Sequence, residues 1–329
     1  MKSGSIKSLY PHLGFAVVYL LWGINMSSMK IGGQEWNPLM FNGLRYAMIA
    51  PILWVWVILA FRKSGSSLRM AKRDWGWIMF LGILSSVGME ALLSYALQYS
   101  NAANGAVLGR GFMPVLTVII ALAMRQIRLT PKIMFGLPLA FISVIIIVAG
   151  GEQGLHFGPN TLRGDVLLLL RSLFGAFYLI GISRLTAKYS VLLLITWEMT
   201  AGALSMFPYV LLRGSMAYFA EISQSGWISL LYTALLASLV GFTLHNWCLA
   251  RLGAFKSSFY GYALPVTAAF AGYFLLDESV SLFQVIGGVG VLAAMYVVQK
   301  DKSQQAVQDN PRQSRKSGSI KPAVPGSRT

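Results

Sequence analysis

Ten apolar runs divide the chain, at Leu13 to Ile31, Leu39 to Phe61, Trp75 to Leu97, Ala106 to Met124, Ile133 to Ala149, Val166 to Ile182, Val191 to Leu212, Trp227 to Leu249, Phe259 to Leu276 and Leu282 to Val298. Each is close to the roughly 17–25 residues that cross a hydrocarbon core about 30 Å thick. With no water to bond them there, backbone amides must be satisfied within each segment, and runs of this length allow that only as helices. The expected fold class is therefore an all-α integral membrane protein with ten transmembrane helices. Composition agrees: 56% of the 329 residues are hydrophobic and 12% are charged, too little polar surface to cover a soluble protein.

The remaining polarity excludes other classes. A formal net charge of +16 would suit nucleic acid if the basic residues shared one face of a folded domain. They sit instead in short loops and the tail, so no nucleic-acid partner is expected. One cysteine, Cys248, and three scattered histidines give neither a disulfide framework nor a metal-ligand cluster, and no cofactor or metal is expected. No GxxxxGK phosphate loop, HExxH or GxSxG motif occurs, so neither an ATP-driven pump nor an enzyme is predicted.

Lys and Arg set the orientation. Lys2 and Lys7, Arg62 to Arg73, Arg125, Arg128 and Lys132, Arg184 and Lys188, and Arg251 and Lys256 alternate with loops holding only Lys30, Arg163 and Arg213. By the positive-inside rule the first group is cytoplasmic, together with both termini. A miscounted run would put every later basic loop on the wrong side, so the charges support the helix number independently. Met1 to Tyr10 lacks a small-residue cleavage site and leads into a first span, not a signal peptide.

One stretch occurs twice, Ala96 to Thr117 and Cys248 to Ala268. Each copy joins two apolar runs and places a Pro-Val pair, Pro114-Val115 and Pro265-Val266, a little into the second run, with Gly136 and Gly287 at the same distance beyond. The first turn carries no Lys or Arg, whereas the second carries Arg251 and Lys256. Related sequence with opposite charge bias indicates two inverted five-helix repeats, an arrangement typical of secondary transporters. The expected divisions are a cytoplasmic N-terminus at 1–12, repeats at 13–149 and 165–299, an outer linker at 150–164, and a disordered basic cytoplasmic tail at 300–329, in which KSGSIK from Lys2 to Lys7 recurs.

Trp22-Gly23 with Lys30, Pro38 followed by Arg45, Ala96-Leu97-Gln98-Tyr99, Pro114-Val115, Pro265-Val266, Asp277-Glu278 and Gly287-Gly288 together resemble the EamA-like branch of the drug/metabolite transporter superfamily over residues 10 to 300. The resemblance implies one five-helix repeat per half and export of small metabolites or drugs across a bacterial inner membrane. The acid that Glu278 places at the end of the ninth run has no counterpart near Ile127.

Function is expected at ionisable groups inside the spans, since a charge at the bilayer centre costs at least about 2.5–3.5 kcal/mol and normally faces a cavity or a partner. Counting from helix ends puts Arg45, Glu90, Arg110 and Arg171 in the outer half and Glu198 and His245 in the inner half. Three guanidiniums around one carboxylate would leave donors for a substrate carboxylate or phosphate. Alternatively, Arg45 and Arg171 snorkel to headgroups or bond nearby carbonyls, and Glu90 pairs structurally with Arg110. Glu90 and Glu198 are candidates for a proton-coupling carboxylate and a gate partner. His245 either relays protons or is simply held in place.

Trp22, Asn25, Tyr95, Tyr178, Trp197 and Tyr262 are candidate walls of an apolar pocket with a few polar anchors. Trp36, Trp75 and Trp227 read as interface residues. Gly105 and Gly109 form a GxxxG step that serves helix packing and leaves a homodimer open. The expected partners are a small-molecule substrate, amino-acid-like or an amphipathic carboxylate, and the bilayer. A lipid-phosphate translocase or lipid-handling protein is the alternative reading, and a channel the third.

Overall fold

The computed structural model describes residues 3–32, 35–64, 68–96, 99–100, 104–150, 155, 158–159, 161–276 and 281–300, and every regular element among them is helical. In chain order, α1 is Ser3–Gly32 and α2 is Pro38–Ser64. Next, α3 joins Lys72–Ile83, a π-helical Leu84–Ala91 and Leu92–Ala96, and α4 joins a π-helical Gly105–Gly111 to Met113–Ala123. Then come α5 Pro131–Ala149, α6 Leu162–Thr186, α7 Val191–Arg213 and the short α8 Met216–Ala220. In α9, Gln224–Tyr232 continues through a π-helical Thr233–Val240 into Gly241–Tyr260, and α10 Ala263–Leu276 and α11 Leu282–Gln299 follow.

Eight of these helices are long and apolar enough to cross a membrane, and α10 is a shorter apolar helix. The chain is thus a multi-pass membrane protein. Their outward faces carry exposed large apolar side chains such as Leu204, Leu211, Phe274, Phe283 and Val289; in a bilayer that surface is solvated by lipid. Asp277, Glu278, Leu97, Gln98, both copies of KSGSIK in whole or part, and the tail beyond Lys300 lie outside the described residues.

Local signals explain several helix starts. Pro131 follows Thr130, whose hydroxyl accepts from the amide of Ile133, and Ser190 caps α7 in the same way. Ser281 and Gln284 form a reciprocal capping box at α11. Pro114 lies in the first turn of the α-helical part of α4, where a missing amide costs nothing.

One boundary differs from the sequence expectation. The eighth and ninth runs belong to two helices that meet at a kink at Gly253, at φ 77° and ψ 167°, so the second of these helices begins a few residues before Phe259. The turn at Gly261 leaves Phe259 and Tyr260 in the preceding helix and the ninth run from Ala263 onward in α10. Side chains rarely tolerate the Gly253 conformation, which glycine adopts freely. Gly253→Ala should therefore cost about 1–3 kcal/mol. Cys248 is free and fully buried, so a thiol-reactive fluorophore reports unfolding, and the variant should react at a lower denaturant concentration than the parent.

Glycines set the closest approaches. The start of α5 lies against the end of α11 and vice versa, so the two are antiparallel. A Cβ on Gly136 would stand 2.4 Å from Val298, and one on Gly287 2.6 Å from the Ser143 carbonyl oxygen. Similarly, α2 and α7 meet at Gly43 and Gly202, beside Met206 and Tyr46, and Trp54 donates to Thr200 across them at 2.9 Å. The remaining contacts place α1 against α9 and α10, and α6 against α3 and α4. Gly109 faces Leu168 of α6, 3.2 Å from where a Cβ would stand.

Candidate functional site

Between these helices lies a cavity that opens at a mouth. Tyr19, Trp22, Asn25 and Met26 of α1 and Phe242 and His245 of α9 form one side. Arg45 of α2, Ser85, Met89 and Glu90 of α3, Arg110 of α4, and Arg171 and Tyr178 of α6 form the other.

The charged side is built around Glu90. Arg45 Nη1 is 3.7 Å from Oε2, Arg171 Nη2 is 3.7 Å from Oε1, and Arg110 Nη2 is 4.0 Å from Oε1. Three cations and one anion leave the group with two net positive charges. Arg45 and Arg171 side chains are 3% and 1% exposed, which excludes snorkelling. Arg171 does bond nearby carbonyls, donating Nε to Met89 O at 3.0 Å and Nη1 to Gly109 O, while also pairing with Glu90. Arg45 is braced by Tyr46, whose hydroxyl accepts from Nη2 at 3.1 Å and whose ring lies beneath the guanidinium. Arg110, at 24% exposure, is the most accessible of the three. The pairing of Glu90 with Arg110 expected from sequence is thus one contact of three.

All three π-helical segments border this cavity, and each offers a main-chain carbonyl to a cavity side chain. Met89 O and Gly109 O accept from Arg171, and Ala237 O accepts from Trp22 Nε1 at 2.9 Å. A π turn shifts the i→i−4 ladder by one residue and turns carbonyls aside from it, which is why such turns recur at functional sites. In this cavity they anchor the side chains that line it.

The opposite side is aromatic. Trp22 stacks on His245 with centroids 5.2 Å apart, meets Tyr19 edge-on at 5.3 Å, and lies 5.4 Å from Phe242. Asn25 accepts from Thr233 at 2.6 Å. One wall offers guanidiniums and the other apolar ring surface, an arrangement complementary to an amphipathic anion.

Of the residues singled out in the sequence, Trp22, Asn25, Arg45, Glu90, Arg110, Arg171, Tyr178 and His245 line the cavity. Glu198 lies one bond behind it, accepting from the Tyr178 hydroxyl at 2.9 Å. Trp197 instead packs edge-on against Trp54 and Trp75 at 4.9 and 5.6 Å, which places Trp75 inside a cluster as well as at a helix end. Tyr262 is buried against Phe259. Tyr95 belongs to a surface group with Tyr99 and Arg163. Sequence reasoning missed Tyr19, Ser85 and Phe242. Tyr19 had a signal, since it precedes Trp22 by one helical turn; Ser85 lies in a π-helical segment and Phe242 just beyond another, and no local pattern announces either.

Comparison with known proteins agrees with this architecture. The model of the EamA-like transporter family matches residues 10–149 and 162–299. An uncharacterised transporter of Archaeoglobus fulgidus is 26% identical over 87% of this chain and 96% of its own length. A probable amino-acid metabolite efflux pump of Escherichia coli is 23% identical over 85% of this chain and 92% of its own; one of Salmonella typhimurium is 22% identical over 85% and 92%. A solved crystal structure 16% identical in sequence superposes with a TM-score of 0.73 over 88% of this chain and 96% of that one, a likeness of fold alone. With two matched segments that together span most of its length, the chain belongs to the EamA-like transporter family.

Proposed function

We propose that this protein exports small organic anions, amino-acid-like or amphipathic carboxylates, across a bacterial inner membrane by alternating access, coupled to protons. The observation that carries this reading is the convergence of Arg45, Arg110 and Arg171 on Glu90 inside one cavity, leaving an excess of two positive charges. Such an excess in low dielectric calls for an anionic ligand. The aromatic wall suits that ligand's apolar part.

The scaffold in this reading is ten transmembrane helices in two inverted repeats, 13–149 and 165–299, with both termini cytoplasmic. Two things support it. The Lys and Arg distribution alternates as the positive-inside rule requires. The contacts also come in pairs: exchanging the halves turns α1 against α10 into α6 against α4, and α1 against α9 into α6 against α3, while α2 with α7 and α5 with α11 map onto themselves. A pseudo-two-fold axis of this kind lets one half rock against the other around a central site. The relatives named as efflux pumps favour a soluble metabolite; the lipid-phosphate reading draws on the same guanidiniums and has no observation of its own.

The test is untargeted metabolite analysis of the medium from cells that overexpress the protein. Carboxylates or phosphates should accumulate outside. Arg110→Gln should cut that accumulation about 10- to 100-fold, the loss expected from removing a charge-assisted contact worth about 1.5–3 kcal/mol. Accumulation only of neutral or cationic compounds, or an unaltered Arg110→Gln profile, would refute the proposal.

A further inference from the structure

The two membrane carboxyls differ in one respect that bears on coupling. Glu90 has three guanidiniums around it. Glu198, 1% exposed, has no ion-pair partner among the described residues. Its Oε2 accepts from Tyr178 at 2.9 Å and from Asn246 Nδ2 at 3.5 Å. Its Oε1 has no hydrogen-bond partner, and neither has Asn246 Oδ1 beside it. Burying an ionised carboxylate without a cation is far costlier than burying the neutral acid. Both orphaned atoms are acceptors, and beyond the Ser85 hydroxyl that faces Glu198 without closing a bond to Oε1 the cluster offers them no donor.

Resting on the proton-coupled reading above, we infer that Glu198 is the proton-carrying site of this transporter, with Tyr178 linking it to the substrate cavity, and that Glu90 stays a fixed counter-ion. A proton on Oε1 converts that atom into the missing donor. Hard cations need about six oxygens, whereas the free acceptors here are two. The groups facing Glu198 are Tyr178 of α6, Asn246 of α9, the Ser85 hydroxyl of α3 and Tyr46 of α2, behind which stands Arg45. His245, next in sequence to Asn246, is directed instead to Trp22 and Phe15.

The link is physical. The Tyr178 ring is part of the cavity wall while its hydroxyl holds Glu198. To the ionised form this is a charge-assisted bond, roughly twice as strong as a neutral one, and it fixes the ring. When Oε1 takes a proton from water on one side of the membrane, the bond weakens and the ring is freed; when the proton is released to water on the other side, the ring is fixed again. A ligand that displaces Tyr178 therefore favours protonation, and protonation favours the ligand to the same degree.

The measurement is infrared difference spectroscopy of the full-length protein in lipid vesicles as pH is lowered, without any substrate. A carbonyl band of a protonated carboxylic acid should appear in the wild type and in Glu90→Gln, and vanish in Glu198→Gln. Tyr178→Phe should keep the band and shift its midpoint to higher pH, because the bond to the ionised form is gone. If Glu198→Gln does not fold, as judged by Cys248 reactivity, Glu198→Asp should keep the band at a displaced frequency. A wild type without the band, or a band that survives Glu198→Gln, overturns the inference. So does a band abolished at fixed pH by sodium but not choline, which would assign the site to a metal cation. Because no transport is read, failure here leaves the export test standing, and failure there leaves this one.

Discussion

Replacing Arg171 by leucine should lower the stability of the folded protein by about 3–5 kcal/mol, the cost of breaking a buried ion pair from one side. The side chain is 1% exposed and closes three contacts at once, to Glu90 and to the carbonyls of Met89 and Gly109. Leucine fills part of the volume but leaves two main-chain acceptors of π-helical turns unpaired where water does not reach them. Those carbonyls have been turned out of the helical ladder, so α3 and α4 each lose a bond to α6, and α4 keeps the one that Leu108 O accepts from Ser172. Arg171→Lys should recover only part of the loss, since an ammonium is a point charge and cannot span three acceptors as a planar fork does. Denaturation followed through Cys248 reactivity checks both, and a Leu variant within about 1 kcal/mol of the parent would contradict a structural role for these bonds.

Glu90→Gln is expected to have a similar cost, about 3–5 kcal/mol, for the opposite reason. It leaves Arg45, Arg110 and Arg171 facing one another with no carboxylate between them. The distinguishing signature is rescue: added acetate should stabilise this variant more than chloride does and more than it stabilises the parent. At 100 times the dissociation constant a bound anion contributes about 2.7 kcal/mol. Absence of any anion dependence would mean that the cavity does not act as an anion site. The two effects will not sum in a double variant, because both residues belong to one network.

The class of fold was legible because its cause is one-dimensional. Apolar runs, basic loops and a duplicated Pro-Val stretch depend on the solvent met along the chain, and each is visible residue by residue. The ionisable residues of the site were legible for the same reason: a charge within an apolar run is conspicuous wherever its neighbours lie. The aromatic candidates fared less evenly. Trp22 reached the cavity and Trp197 did not, although both sit deep in apolar helices. Which face an aromatic ring takes depends on the neighbouring helices, and here Trp54 and Trp75 draw Trp197 away.

The sequence by itself determined that this chain crosses a membrane many times, that its halves are related, and that Arg45, Glu90, Arg110, Arg171 and Glu198 are the charges to explain. Only the tertiary structure decided how those charges are distributed: three guanidiniums on Glu90 and none on Glu198. It also decided where the three π-helical segments fall and that the chain kinks at Gly253, between the eighth and ninth runs. The physical reason is that hydropathy and charge bias are set by the environment of each residue alone. Ion pairing, helix widening and depth relative to a cavity depend instead on atoms contributed by seven different helices, whose approach depends on glycine contacts such as Gly23 against Thr267 and Gly109 against Leu168.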